Sequence, residues 1–122
     1  MGHEFEEISG KIIAAAIDVH KELGPGFLES IYESALKVSL RQRGIPYETQ
    51  KEITVCFAGE EVGLHRLDLV VDEQIVVELK AVKALEDVHF SQLRSYLKAT
   101  RLRIGLLMNF HCPTLVVKRV IV

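Results

Sequence analysis

Apolar residues recur with two different periods along this chain, and the change of period divides it into helices and strands. Ile8, Ile12, Ala15, Ala16, Val19 and Leu23 fall three or four apart, which gives a helix over Glu6–Leu23 one apolar face. Gly24-Pro25-Gly26 ends it, with Gly24 suited to the position just past the helix and Pro25 unable to continue it. A second helix is expected over Leu28–Arg43, with Leu28, Tyr32, Ala35, Leu36 and Leu40 as its stripe and Gly44-Ile45-Pro46 as its stop. From Glu48 the period shortens to two. Strands at Glu48–Phe57, Glu61–Val71 and Gln74–Val82 form a meander, joined by Ala58-Gly59-Glu60 and by the tight Asp72-Glu73-Gln74 turn. A third helix, Val88–Ala99, turns Phe90, Leu93 and Leu97 inward, and strands at Arg103–Asn109 and Leu115–Ile121 follow.

The order ααβββαββ predicts a small α/β domain with a mixed sheet flanked by helices. The strand–helix–strand passage from Gln74 to Asn109 should cross over right-handed if its two strands are parallel. No internal repeat, low-complexity tract or linker breaks the pattern, so residues 1-122 read as one domain.

Composition narrows the class without identifying it. Apolar residues make up 48% and charged residues 26%, as in an ordinary globular protein. No apolar run approaches the ~20 residues that cross a bilayer. The opening Met1-Gly2-His3-Glu4-Phe5-Glu6-Glu7 is acidic, unlike a signal peptide, so a cytoplasmic protein with no membrane partner is expected. Cys56 and Cys112 have no CxxC partner and read as small buried hydrophobes, and His111 beside Cys112 lacks the second pair of a zinc site. A formal net charge of −2 gives no global attraction to nucleic acid; any such binding needs a local basic patch or a cation.

Candidate chemistry sits inside two of the strands. His65-Arg66-Leu67-Asp68-Leu69-Val70-Val71 carries an aspartate, and Ile75-Val76-Val77-Glu78-Leu79-Lys80-Ala81 carries a glutamate and a lysine that share one face. An ionised carboxylate in an apolar strand is costly to bury unless it is paired or binds a metal. Two readings remain open on spacing alone. Glu78 and Lys80 pair along a solvated sheet face with Asp68 beside them, or the three form a site.

The helices offer further candidates, each with a plainer alternative. Glu29 lies near the line of Tyr32, Leu36 and Leu40, and in a first turn where a carboxylate suits the helix dipole. It serves the helix end, or it reaches over the sheet toward the acidic residues. Gln92 and Tyr96 are one turn apart with His89 beside them: a polar surface pair, or support for the site. Arg94, Lys98 and Arg101 lie on the opposite flank and form a basic ridge with Arg103. They make a solvated cationic helix end or contact phosphates, and Lys37, Arg41 and Arg43 are similar. His20 closes the first helix near its C-terminus and receives no catalytic role.

Asp68 followed ten positions on by Glu78-Leu79-Lys80 resembles the PD-(D/E)xK nuclease superfamily. Gly26-Phe27-Leu28-Glu29-Ser30-Ile31-Tyr32 matches the signature of the GxxExxY proteins, a compact branch of it. Gln92-Leu93-Arg94-Ser95-Tyr96-Leu97 resembles the Q-x-x-x-Y helix of RecB-like nucleases. Arg66-Leu67-Asp68-Leu69, Val77–Val82, Leu106–Phe110 and Lys118-Arg119-Val120 extend the likeness over nearly the whole chain.

The resemblance implies a restriction-endonuclease-like fold and phosphodiester hydrolysis. Asp68 and Glu78 would bind Mg²⁺ or Mn²⁺ with the Leu79 carbonyl, and Glu29 would act directly or through water. Lys80 would orient or deprotonate the attacking water. Gln92 would support the metal shell or contact the substrate, and Tyr96 would pack or contact phosphate. Arg94, Lys98 and Arg101 would bind the substrate, a nucleic acid with DNA ahead of RNA. A homodimer is expected, through the apolar first helix or the terminal strand. Leu67 departs from the small residue usual before the aspartate; it points to the opposite face and should alter packing, not ligation. Without metal, the clustered carboxylates should have at least one raised pKa. The competing reading is a non-catalytic nucleic-acid- or protein-binding module that keeps the fold, or a subunit of a defence or repair assembly.

Overall fold

A computed structural model of the protein describes residues 2–122, with side chains from Glu6 onward. The acidic opening up to Phe5 lies outside the described side chains. The elements are α1 (Gly2–Leu23), α2 (Glu29–Gln42), β1 (Tyr47–Phe57), β2 (Glu60–Val71), β3 (Ile75–Lys80), α3 (Asp87–Thr100), β4 (Ile104–Asn109) and β5 (Val116–Ile121). This is the expected order. The strands form one sheet in the order β1-β2-β3-β4-β5. All neighbours are antiparallel except β3 and β4, which are parallel and joined through α3. Among the described residues no helix is long and apolar enough to cross a membrane.

Each sheet face has its own core. On one side Ile12, Ala15, Ala16 and Val19 of α1 and Tyr32, Leu36 and Leu40 of α2 pack on Leu69, Val71, Ile75, Val77 and Leu79. On the other, Leu93, Tyr96 and Leu97 of α3 pack on Leu67, Val70, Val76 and Leu107. The helical stripes therefore do what their spacing requires, with one exception. Leu28 is 71% exposed because it precedes α2 in an extended conformation and cannot share the helix's buried face. The cysteines also depart from expectation: Cys56 is exposed and Cys112 half-buried. Cys56 lies in the outer part of the β1–β2 hairpin, where both strands outrun β3 and little covers them.

Close packing of α3 on the sheet depends on Gly105. A Cβ there would lie 2.7 Å from Cδ1 and 3.0 Å from Cγ of the fully buried Leu93. Gly105→Ala is expected to destabilise the fold by about 1–3 kcal/mol through overpacking. Chemical denaturation checks this, and an unchanged midpoint would show that Leu93 gives way freely.

Candidate metal centre

β2 and β3 pair as Val71↔Ile75, Val70↔Val76 and Leu69↔Val77, and there the ladder stops. One step further the same register sets Asp68 opposite Glu78, and their side chains replace the missing rungs. The Asp68 N–H donates to Glu78 Oε2 at 3.0 Å, and the Leu79 N–H donates to Asp68 Oδ2 at 3.1 Å. The two carboxylates are thus seated in the fork between parting strands, each with one oxygen engaged by a backbone N–H.

The neighbouring strand is distorted at the same level. Thr49↔Leu69 and Lys51↔Leu67 pair, but Gln50, which the register sets opposite Asp68, does not, and its φ is 51°. Side-chain alternation inverts here. Leu67 packs with the α3 core although Leu69, two residues on, belongs to the other. Tyr47 and Ile53 of β1 divide in the same way. Regular alternation from Leu67 to Leu69 was the expectation, and the break at Asp68 corrects it.

Glu78 is 4% exposed, which removes the solvated-face reading. Burial, then the charge of Asp68, pushes its carboxyl up to about 8. Asp68 is raised as well, chiefly by burial, against the pull of the Leu79 N–H. Neither carboxylate forms an ion pair among the described residues. The expected pKa rise of clustered carboxylates is present.

Lys80 and Gln92 meet across the site, with Nζ 3.5 Å from Oε1. Of the two readings left open for Tyr96, the surface pair does not hold: it is 7% exposed and packs edge-on against His65 at 4.5 Å. Burial, then the charges of Glu78 and Asp68, raises its phenol. His89 serves the helix start, its Nδ1 accepting the Glu86 N–H at 2.9 Å. Arg94 reaches Ser91 on its own helix, while Lys98 and Arg101 line a groove beside α3.

In the Gly26–Tyr32 motif, the tyrosine is structural. Tyr32 Oη donates to the Gly24 carbonyl at 2.6 Å and accepts the Phe27 N–H at 3.1 Å, while its ring stacks on Phe110 at 4.6 Å. These bonds fix the loop that starts α2, where Gly24 and Gly26 take φ of 71° and 109°. Glu29 is left exposed at the first turn of α2, and its charge reaches both Asp68 and Glu78. Tyr32→Phe should cost about 1–3 kcal/mol by orphaning Gly24 and Phe27, read as a lower thermal midpoint. An unchanged midpoint would remove the hydroxyl from the loop's stability.

Two residues receive no role from the sequence alone. Glu33, one turn beyond Glu29, accepts Gln50 Nε2 at 3.2 Å on each oxygen and Lys37 at 3.2 Å. Its charge raises Asp68 more than that of Glu29 does. The i,i+4 spacing of Glu29, Glu33 and Lys37 was the available signal. Asn109 is 1% exposed, and its amide pairs with Val82 like a strand rung, at 3.1 Å to N and 2.8 Å to O. It holds the chain just past Lys80, where β3 ends two residues earlier than expected.

The donor set is oxygen-only and suits a hard divalent cation. No group of three His, Cys, Asp or Glu side chains converges among the described residues. Two carboxylates with an adjacent backbone carbonyl still fit Mg²⁺, which retains waters and substrate oxygens as its other ligands. The uncompensated pair, with Glu78 pushed to about 8, is the cost such a cation would offset.

The family model described as the PD-(D/E)XK nuclease superfamily matches residues 6–120. Among solved structures, the crystal structure of SSO0001 is similar in fold, with a TM-score of 0.61 at 20% sequence identity. The alignment covers 75% of this chain and 48% of that one, so the chain spans about half that structure's length. No curated protein matches in sequence.

Proposed function

This chain belongs to the PD-(D/E)XK nuclease superfamily, and from that premise we propose that it is a divalent-metal-dependent phosphodiesterase acting on nucleic acid. The observation that carries the reading is the fork between β2 and β3. The β2–β3 ladder stops where Asp68 and Glu78 are seated side by side, and among the described residues no ion pair offsets the cost. A fold needing only stability would place apolar residues there.

Asp68 and Glu78 would hold Mg²⁺ or Mn²⁺ through the carboxylate oxygens that face away from the backbone N–H groups. The carbonyl of Leu79 would be a further ligand, and Glu29 would add charge directly or through water. When bound, the cation polarises the scissile phosphate and lowers the pKa of a bound water. Lys80, on the same strand face as Glu78, orients or deprotonates the attacking water and offsets charge on the phosphorane oxygens. Gln92 Oε1 positions the ammonium of Lys80. Tyr96 closes the apolar side of the site and keeps water from Glu78. The Gly26–Tyr32 segment supports placement in the GxxExxY branch.

Calorimetric titration of Mn²⁺ and Mg²⁺ into chelator-treated protein tests this. One or two ions should bind the wild type and none should bind Glu78→Ala, with cleavage of oligonucleotides following the same pattern. Absence of binding by the wild type at millimolar metal, both alone and with nucleic acid, would sink the catalytic reading.

A further inference from the structure

A groove of about 450 Å³ runs between the outer part of the β1–β2 hairpin and α3. Thr54, Cys56, His65, Ser95, Lys98 and Arg101 line it, and no Asp or Glu does. Lys98 and Arg101 are exposed and form no ion pair among the described residues. In a chain of formal net charge −2, this is a local concentration of cations in a concave surface. The groove adjoins the metal centre through one pair of rings. His65 in its wall packs on Tyr96 at 4.5 Å, and the phenol of Tyr96 feels the charges of Glu78 and Asp68.

We infer that this groove is a phosphate subsite, in which Lys98 and Arg101 hold backbone phosphates of the nucleic-acid strand flanking the bond cut at Asp68 and Glu78. The inference rests on the proposed hydrolysis for its orientation and adds the surface that holds the strand beside the cut. The substrate is an oligonucleotide strand, not an isolated phosphodiester. Contacts to phosphates carry no sequence information, so recognition here is sequence-independent and salt-sensitive. His65 and Tyr96 are packed against each other and Tyr96 is buried, so the groove offers no free aromatic platform for bases. Arg94 points along its own helix to Ser91 and takes no part.

The test uses a fluorescein-labelled single-stranded DNA of about 15 nucleotides, near the upper site size of one small domain, with anisotropy read in Ca²⁺ to suppress turnover. Lys98→Gln/Arg101→Gly is compared with Lys11→Gln/Lys21→Gln on α1, which removes the same charge from the opposite face of the sheet. Arg101 has φ of 62°, so glycine preserves the helix end. The groove pair should weaken binding at least tenfold and lower the salt slope by about 1.4, roughly 0.7 per phosphate contact for a single strand. The α1 pair should stay within twofold of the wild type. Equal losses in both pairs, no loss in either, or no binding by the wild type at low salt would overturn the subsite. Turnover separates this inference from the hydrolytic one. Binding that depends on the groove without cleavage keeps the subsite and removes the hydrolase; cleavage indifferent to the groove does the reverse.

Discussion

Replacing Glu78 by glutamine is expected to stabilise the metal-free protein at pH 8 while abolishing cation binding and phosphodiester cleavage. Glutamine is close in shape to protonated glutamate, and its carbonyl can still accept the Asp68 N–H that Glu78 Oε2 accepts at 3.0 Å. The sign follows from linkage. Unfolded, Glu78 titrates near 4.5; folded, near 8. Between those values the folded chain keeps a proton that the unfolded chain has released. Stability is therefore greatest below about pH 4.5, as far as this group is concerned, and falls as pH rises toward 8. At about 1.4 kcal/mol per pKa unit the loss is on the order of 3 kcal/mol near pH 7 and on the order of 5 kcal/mol above pH 8. Glutamine removes this slope. Asp68, raised in the same direction, leaves a smaller one. Denaturation in chelator at pH 5, 6.5 and 8 decides the matter: parallel pH profiles for wild type and Glu78→Gln would show that Glu78 is ionised in the fold. Cleavage by the variant should fall at least 10³-fold, because a missing ligand removes both metal and nucleophile activation.

Lys80→Met is expected to separate binding from turnover. Methionine keeps the length and apolar stem of lysine but removes the ammonium 3.5 Å from Gln92 Oε1. Lys80 pulls both carboxylates downward in pKa, so its loss should raise them slightly further and leave the metal titration close to that of the wild type. Turnover should fall by 10²–10⁴, the usual contribution of a positioned proton-transfer group. A metal isotherm that disappears along with turnover would make Lys80 a structural counter-charge to Asp68 and Glu78. Gln92→Leu should give a smaller fall of the same kind, because it frees the lysine without removing it.

Both predictions concern an arrangement that trades stability for chemistry. The same residues that make the sheet weaker at its fork make it able to take a cation there. That trade explains why the strands part at Asp68 and Glu78, although the hydrophobic pattern on either side would have carried the ladder further.

Much of this was legible in the chain. Two spacings, three to four and two, predicted every helix and strand in order, because a face that must be buried imposes its period on the residues that fill it. Asp68, Glu78 and Lys80 stood out because ionisable residues in apolar strands need a reason to be there. Periodicity describes one element at a time, and its reach ended there. It could not show that Asp68 and Glu78 lie opposite each other, since that follows from the register between β2 and β3. It assumed regular alternation through Asp68, which the left-handed Gln50 on the neighbouring strand breaks. It left Tyr96 open between a surface pair and a packed residue, because only the packing of α3 on β2 shows that His65 covers it. Glu33 and Asn109 were invisible for the same reason: a half-buried carboxylate and a buried amide are defined by partners far away in sequence. The sequence by itself determined which residues must be inside and which charges were out of place. The tertiary structure alone decided which of those charges meet, because pairing across strands and layers is set by packing between elements, and no element's own period contains it.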